Sequence, residues 1–178
     1  MTQAYVLLDR DGVINVDSDD YIKSPEEWHP IPGSLEAIAL LNKNGYKVIV
    51  ITNQSGLGRG MYDEAALAKI HQKMNQLAKE KGGEIDTIYY CPHTPDDNCS
   101  CRKPNPGLLT RFATEKNRSL HDLFFVGDKL ADLQAAKAAG AKSILVKTGK
   151  GEKTLIDNPE ISSPIFENLY DAAKFIIT

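Results

Sequence analysis

The sequence predicts an α/β fold, a doubly wound, Rossmann-like parallel sheet with flanking helices and no large cap domain, as a single domain over residues 1–178. Three observations carry that prediction. Short apolar runs rich in β-branched residues alternate with longer segments of helical period, each apolar run stops at a polar turn, and no repeat, low-complexity tract or linker interrupts the alternation. Strands alternating with helices build βαβ units, and right-handed crossovers make the sheet parallel. At 178 residues, 42% hydrophobic and 25% charged, the chain suits one soluble domain with a sizeable core.

The elements follow in order. Residues 4–8 form an apolar run that stops at Asp9-Arg10-Asp11-Gly12. Residues 12–32 are polar, carry Pro25, Pro30 and Pro32, and read as a long loop holding Asp17, Asp19, Asp20 and Tyr21. Ser34 is placed to cap a helix with an apolar stripe of Leu35, Ile38 and Leu41, ended by Gly45. A second strand, 46–51, runs into Thr52-Asn53-Gln54-Ser55-Gly56. The loop with Gly56, Gly58, Arg59 and Gly60 lacks the glycine spacing of a dinucleotide site. Asp63 then caps a long helix whose Leu67, Ile70, Met74 and Leu77 face the core, stopped by Gly82-Gly83.

A third strand at 85–90 leads straight into a cysteine-rich window. Asn105 and Pro106 start a helix with Leu108, Leu109, Phe112 and Ala113 inward. The fourth strand, 123–126, ends at Gly127-Asp128-Lys129, and a helix with Leu133, Ala135, Ala136, Ala138 and Ala139 follows, small enough on that face to lie close to the sheet. A fifth strand at 143–146 is followed by a mobile surface loop, 147–151, whose spacing is not that of a phosphate-binding P-loop. A short helix through Tyr170 and Ile176 ends the chain.

The net charge of −3 argues against a general nucleic-acid or anionic-membrane surface. No apolar run approaches the roughly 20 residues of a membrane span. The start, Met1-Thr2-Gln3-Ala4, has neither the basic nor the apolar region of a signal peptide, so the cytoplasm is expected. Nothing in the pattern calls for an obligate partner, and a monomer is expected.

Fold class alone says little about chemistry, which must come from the strand ends. In a parallel sheet, ligands bind beyond the carboxyl ends of the strands. Side chains two apart on a strand point the same way, so Asp9 and Asp11 are predicted to face one pocket. Carboxylates that close repel each other, and one must take a proton or both must share a cation. All three cysteines lie in one window, as Cys91-Pro92-His93 and Cys99-Ser100-Cys101. Three thiolates and an imidazole make a closed tetrahedral set of the kind that structural Zn²⁺ prefers, so the fold is expected to carry a zinc-bound loop. With no open ligand position, that metal is expected to order the loop and fix where Arg102 and Lys103 point.

Asp9-x-Asp11-Gly12, Thr52, Lys103 and Gly127-Asp128 stand in order after successive strands, and together they resemble the haloacid dehalogenase superfamily of phosphohydrolases over nearly the whole chain. The resemblance implies Mg²⁺ held by Asp9, Asp128 and the main-chain carbonyl of Asp11. It makes Asp9 the nucleophile that forms an aspartyl-phosphate, and Asp11 a protonated acid that later activates water. The Thr52 hydroxyl and the Lys103 ammonium would neutralise the phosphoryl oxygens.

Asp9-Arg10-Asp11-Gly12-Val13-Ile14-Asn15-Val16-Asp17, Thr52-Asn53-Gln54-Ser55-Gly56 with Arg59-Gly60, and Cys101-Arg102-Lys103-Pro104 are similar to one small branch. It holds the heptose 1,7-bisphosphate 7-phosphatases of lipopolysaccharide or S-layer precursor synthesis and the histidinol-phosphate phosphatases. The resemblance implies a small phosphorylated sugar as substrate, contacted by Asp17, Asp19, Asp20, Tyr21, Asn53, Gln54, Ser55, Arg59, Arg102 and Lys129. The short spacer between His93 and Cys99 is closer to the histidinol enzymes. A zinc-ordered binding module without catalysis is the reading from another class, and the acidic balance opposes it.

Overall fold

In the computed structural model, which describes residues 2–178, six parallel strands form one sheet: β1 (Ala4–Leu8), β2 (Tyr46–Asn53), β3 (Ile85–Cys91), β4 (Phe124–Gly127), β5 (Lys142–Val146) and β6 (Ile165–Phe166). Their order is β3-β2-β1-β4-β5-β6. Seven helices connect or flank them: α1 (Ser34–Lys43), α2 (Ser55–Gly58), α3 (Glu64–Glu80), α4 (Gly107–Glu115), α5 (Leu130–Ala139), α6 (Gly151–Asp157) and α7 (Leu169–Ile177). The doubly wound fold expected from the sequence is the one found.

The topology decides where a site lies. β1 sits between β2 and β4, so successive connections leave it in opposite directions and open a crevice at its carboxyl end. Leu8 pairs with Val50 on one side and Val126 on the other, which brings the ends of β1 and β4 level. The Asp9 N–H then donates to the Val126 carbonyl at 2.9 Å, fixing the first residue beyond the strand.

The alternation within β1 sorts the core into two faces. Val6 and Leu8, with Val48 and Val50, meet Ile38, Leu41, Ile70, Met74 and Ala172 from α1, α3 and α7. Tyr5 and Leu7, with Ile49 and Ile51, meet Leu109, Phe112, Ala135 and Ala136 from α4 and α5. Each such side chain, once fully buried, stabilises the fold by about 1.5–3 kcal/mol before the cost of ordering it.

Several local expectations are corrected. Ser34 is the first residue of α1 and not its cap, a place taken by Gly33 at φ 88°, while the Ser34 hydroxyl donates to the Val13 carbonyl at 2.7 Å. The glycine-rich stretch after Gln54 contains a single helical turn, α2. Neither β6 nor α6 has a sequence signal: one is two residues long, and the other opens on glycine. Asp63 caps α3 as expected, accepting from the Ala66 N–H at 2.8 Å. Among the described residues no helix is long and apolar enough to cross a membrane.

Candidate active site

Asp9, Asp128 and Asp132 each bring a carboxylate oxygen to within 4.8 Å of the others, and all three are buried. Asp9 and Asp128 follow the ends of β1 and β4, and Asp132 lies in the first turn of α5. The Lys103 ammonium enters between them. It donates to Asp9 Oδ1 at 2.9 Å, to Asp132 Oδ1 at 2.7 Å and to the Ile51 carbonyl at 2.9 Å, so all three of its hydrogens are taken. Burial alone would discharge this lysine, but Asp132 and Asp9 hold its pKa above the usual value.

Burial, reinforced by the nearby Asp132 charge, pushes the Asp9 pKa well up even against Lys103. Burial also brings Asp128 up to about 6, with Lys129 opposing and Asp132 reinforcing the shift. The cluster therefore holds more negative charge than its lysines balance. Asp132 is not the group in need of a cation. Its Oδ1 faces Lys103 and its Oδ2 accepts the Asp128 and Lys129 N–H groups at 3.2 and 3.1 Å. Asp128 Oδ1, by contrast, is buried with no hydrogen-bond partner. An orphaned carboxylate oxygen facing a second carboxylate fits a hard divalent cation such as Mg²⁺.

Asp11 lies apart from this trio. β1 ends at Leu8 and the chain turns at Gly12, so the turn and not strand alternation places Asp11, whose carboxyl is not one of the three that converge. The Asp11 carboxyl is turned instead into its own cradle. Its Oδ1 accepts from Arg10 Nε (3.0 Å), Arg10 Nη2 (2.7 Å) and Asn15 Nδ2 (2.9 Å), and its Oδ2 accepts from Gln54 Nε2 (3.0 Å). Burial would raise its pKa, but Arg10 and Asn15 outweigh burial and hold Asp11 below the usual value. The protonated state implied by the resemblance is therefore not the resting one.

Gln54 joins this cradle to the neighbouring strand end. The same Nε2 donates to Thr52 Oγ1 at 2.9 Å, and Gln54 Oε1 accepts from the Tyr62 hydroxyl at 2.6 Å.

Arg10 is fully buried, and its Nη1 meets His71 Nε2 on α3 at 3.1 Å. Burial, with the Arg10 cation beside it, brings the His71 pKa down to about 3. In the unfolded chain histidine titrates near 6.5, so between roughly pH 6.5 and 3 the unfolded state binds the extra proton and stability falls as pH falls. His71→Gln is expected to remove about one proton's worth of that slope, ~1.4 kcal/mol per pH unit, in urea unfolding measured from pH 6.5 to 4. An unchanged slope would show that His71 is not buried neutral.

The segment after β5, expected to be mobile, is pinned to the site. The Lys150 N–H donates to Asp128 Oδ2 at 2.8 Å, Thr154 Oγ1 to the Asp128 carbonyl at 2.8 Å and Thr148 Oγ1 to the Gly12 carbonyl at 2.7 Å. Gly12 (φ 85°) and Gly149 (φ 57°) both press on the Asp128 carboxyl, and a Cβ at either would collide with its Oδ2.

Cys91, His93, Cys99 and Cys101 converge as the sequence predicts, with ligand atoms within 4.8 Å of one another. Cys99 Sγ lies 3.6 Å from both Cys91 Sγ and Cys101 Sγ, close to the roughly 3.7 Å expected between thiolates on one tetrahedral Zn²⁺, while Cys91 Sγ and Cys101 Sγ are closer, at 2.8 Å. His93 presents Nδ1, 3.2 Å from Cys101 Sγ. Asn53 joins this loop to β2, its Nδ2 donating to the Lys103 carbonyl at 3.1 Å and its Oδ1 accepting the Lys103 N–H at 3.0 Å.

The remaining predicted residues divide. Lys129 lies 3.5 Å from Asp17 and 3.9 Å from Asp128, and Lys150 bridges to Asp19 at the mouth. Arg102 reaches the His93 carbonyl at 3.4 Å. Ser55 is buried at the start of α2, and Tyr21 is half-buried in a left-handed turn at φ 66°. Asp20 and Arg59 are exposed, and among the described residues no hydrogen bond or ion pair ties their side chains to the rest of the site. Asn53 and Gln54, expected to touch substrate, grip Lys103 and Asp11 here. Asp132, Thr148, Thr154 and His71 were missed as functional residues; only Asp132, four residues after Asp128 at a helix start, left any sequence signal.

A haloacid dehalogenase-like hydrolase profile matches residues 6–80, and a HAD-hydrolase-like profile matches residues 100–172. With buried carboxylates at the switch point of a parallel sheet, the chain belongs to the haloacid dehalogenase superfamily of hydrolases. It is 49% identical to the D-glycero-β-D-manno-heptose-1,7-bisphosphate 7-phosphatase of Pseudomonas aeruginosa, over 99% of each chain. It is 52% identical to the enzyme of the same name from Pseudomonas putida, over 97% of this chain and 98% of that one. A crystal structure of D,D-heptose 1,7-bisphosphate phosphatase from B. bronchiseptica, complexed with magnesium and phosphate, superposes with a TM-score of 0.94 at 46% identity, covering 98% of both chains.

Proposed function

We propose that this chain is a Mg²⁺-dependent phosphatase that removes the C7 phosphate of D-glycero-β-D-manno-heptose 1,7-bisphosphate, leaving heptose 1-phosphate for activated-heptose synthesis. The observation that carries the reading is the buried Asp9–Lys103–Asp128 cluster with its orphaned Asp128 oxygen, in a chain about half identical to enzymes of that name.

The residues divide the work. Asp9 Oδ1 is fixed by the Arg10 N–H at 2.8 Å and by Lys103, which leaves Oδ2 to attack phosphorus. The bond to the leaving oxygen breaks as the bond to Asp9 forms. Asp11 then gives its proton to that oxygen, having acquired it as substrate charge enters its cradle, and later takes one from the water that hydrolyses the aspartyl-phosphate. Such acid–base help is typically worth about 10²–10⁴-fold. Thr52 offers its hydroxyl to a phosphoryl oxygen. Lys103, its hydrogens already engaged, acts by holding Asp9 and by its charge. Mg²⁺, bound by Asp9, Asp128 and the Asp11 carbonyl, supplies the positive charge that lets a carboxylate approach a phosphate dianion.

Lys129, Arg102 and the Asp17–Tyr21 loop line the substrate side, with Arg102 suited to a second phosphate through its forked donors. The reading takes the chain as one domain, 1–178, acting as a monomer. The cytoplasm suits it, since reduced thiols are what a cysteine ligand set requires.

Phosphate release from the heptose bisphosphate, histidinol phosphate and an aryl phosphate tests the substrate. The heptose compound is expected to give the highest kcat/KM, with the C7 phosphorus signal lost by ³¹P NMR. A preference for histidinol phosphate, which the short His93–Cys99 spacer favours, would overturn it. A chain that releases phosphate from none of them would fit a binding module instead.

We further propose that Zn²⁺ orders the cysteine loop and, through Asn53, the approach to Lys103. Cys99→Ser is expected to lose zinc by metal analysis and to lower kcat ~10-fold or more, in the range typical of groups that orient a site, with Mg²⁺ affinity unchanged. Zinc loss at full rate would contradict this role.

A further inference from the structure

A buried guanidinium must find partners for its donors, because an unpaired buried charge is costly. Arg10, with 0% of its surface exposed, meets that demand in two directions. Nε and Nη2 converge on Asp11 Oδ1, and Nη1 points away from the sheet to His71 on α3, 61 residues on. Arginine has only donors, so His71 Nε2 must be the acceptor and the ring proton must sit on Nδ1. The ring is itself 8% exposed and borders a groove of about 830 Å³ lined by α3 residues from Ala68 to Glu80. Its neighbours on the inward face of α3 are Leu67, Ile70 and Met74, all buried, so helix packing fixes where the ring stands.

We propose that His71 is a positioning residue for phosphoryl transfer: as a neutral acceptor it holds the Arg10 guanidinium, and through it the Asp11 carboxyl, where Asp11 exchanges a proton with the leaving oxygen. This rests on the reading of Asp11 as the acid–base group. Without the acceptor, Arg10 keeps its charge but loses the contact that sets its plane, and Asp11 turns with it. The attack of Asp9 on phosphorus is untouched, because Asp9 is held by Lys103 and by the Arg10 main-chain N–H, neither of which depends on the guanidinium.

That division gives a test which a merely structural role would not pass. An alkoxide leaving group needs its proton during bond cleavage, whereas p-nitrophenolate does not. His71→Leu is expected to lower kcat/KM for the sugar phosphate by ~10-fold or more while changing kcat/KM for p-nitrophenyl phosphate by less than ~3-fold, a fraction of the usual general-acid contribution. His71→Gln, whose amide oxygen still reaches Nη1, is expected to recover most of the loss. Should the leucine variant not fold, His71→Asn, whose amide falls short, takes its place.

Equal losses on both substrates, or no loss on either, would overturn the proposal. Asp11→Asn is the control and should show the same discrimination more strongly. If it does not, the acid–base reading of Asp11 fails, and this proposal fails with it. If it does and the His71 variants do not, His71 alone is excluded.

Discussion

Asp9→Asn is expected to abolish turnover, by on the order of 10⁴-fold or more as for other lost nucleophiles, while the fold survives. The amide keeps the shape of the carboxyl and an oxygen for the Arg10 N–H and Lys103, so the hydrogen bonds that position residue 9 largely persist. What disappears is the anionic oxygen that attacks phosphorus, and half of the carboxylate pair that holds the cation. Burial and the Asp132 charge already disfavour an ionised Asp9, so removing that charge should leave thermal stability unchanged or higher without metal. Steady-state phosphate release and a melting curve measured together check both halves. Turnover within ~10-fold of the parent, too small a change for a lost nucleophile, would remove Asp9 from the mechanism.

Lys103→Met is expected to damage both activity and stability. The Lys103 side chain is 3% exposed, and its carboxylate partners on Asp9 and Asp132 are 5% and 2% exposed. Methionine matches its length and keeps the apolar stem packed, so the change isolates the charge. It leaves two buried carboxylates without their shared cation, and breaking a buried pair from one side costs about 3–5 kcal/mol. The rate should fall about 10²–10³-fold, as when one preorganised electrostatic donor is lost. Lys103→Arg is not expected to restore it, because a planar guanidinium cannot send three hydrogens to Asp9, Asp132 and the Ile51 carbonyl at once. Urea midpoints and kcat on the heptose bisphosphate are the measurements. A variant as stable as the parent would mean the cluster is not the charged trio seen here.

How much of this was legible in the sequence depended on how local the signal is. Asp9, Thr52 and Asp128 stood out because each ends an apolar run, and the four zinc-loop ligands because cysteines cluster. Lys103 was legible through the order of motifs and as the second residue after that cluster. Asp132 was hidden because a helix-start aspartate four residues past Asp128 reads as an ordinary cap, which it also is. The contacts of Lys150 and Thr154 were out of reach, since an N–H donor carries no residue signature and the partner lies 22 or 26 positions away.

Asp11 lies beyond the reach of the alternation used to place it. Alternation is a property of strands, and the strand stops at Leu8. His71 is one residue of a helix in the sequence, with no partner spacing to mark it; in the fold its ring meets the guanidinium that also grips Asp11.

Phosphoryl transfer in this enzyme is expected to pass through Asp9. Rapid quenching of the enzyme with Mg²⁺ and substrate labelled with ³²P at C7, followed by peptide mapping, tests this most directly. The expected result is an acid-stable, hydroxylamine-labile label on the peptide containing Asp9, formed and lost at rates that match turnover. Phosphate released at full rate with no label on the protein, or with the label on another residue, would contradict it.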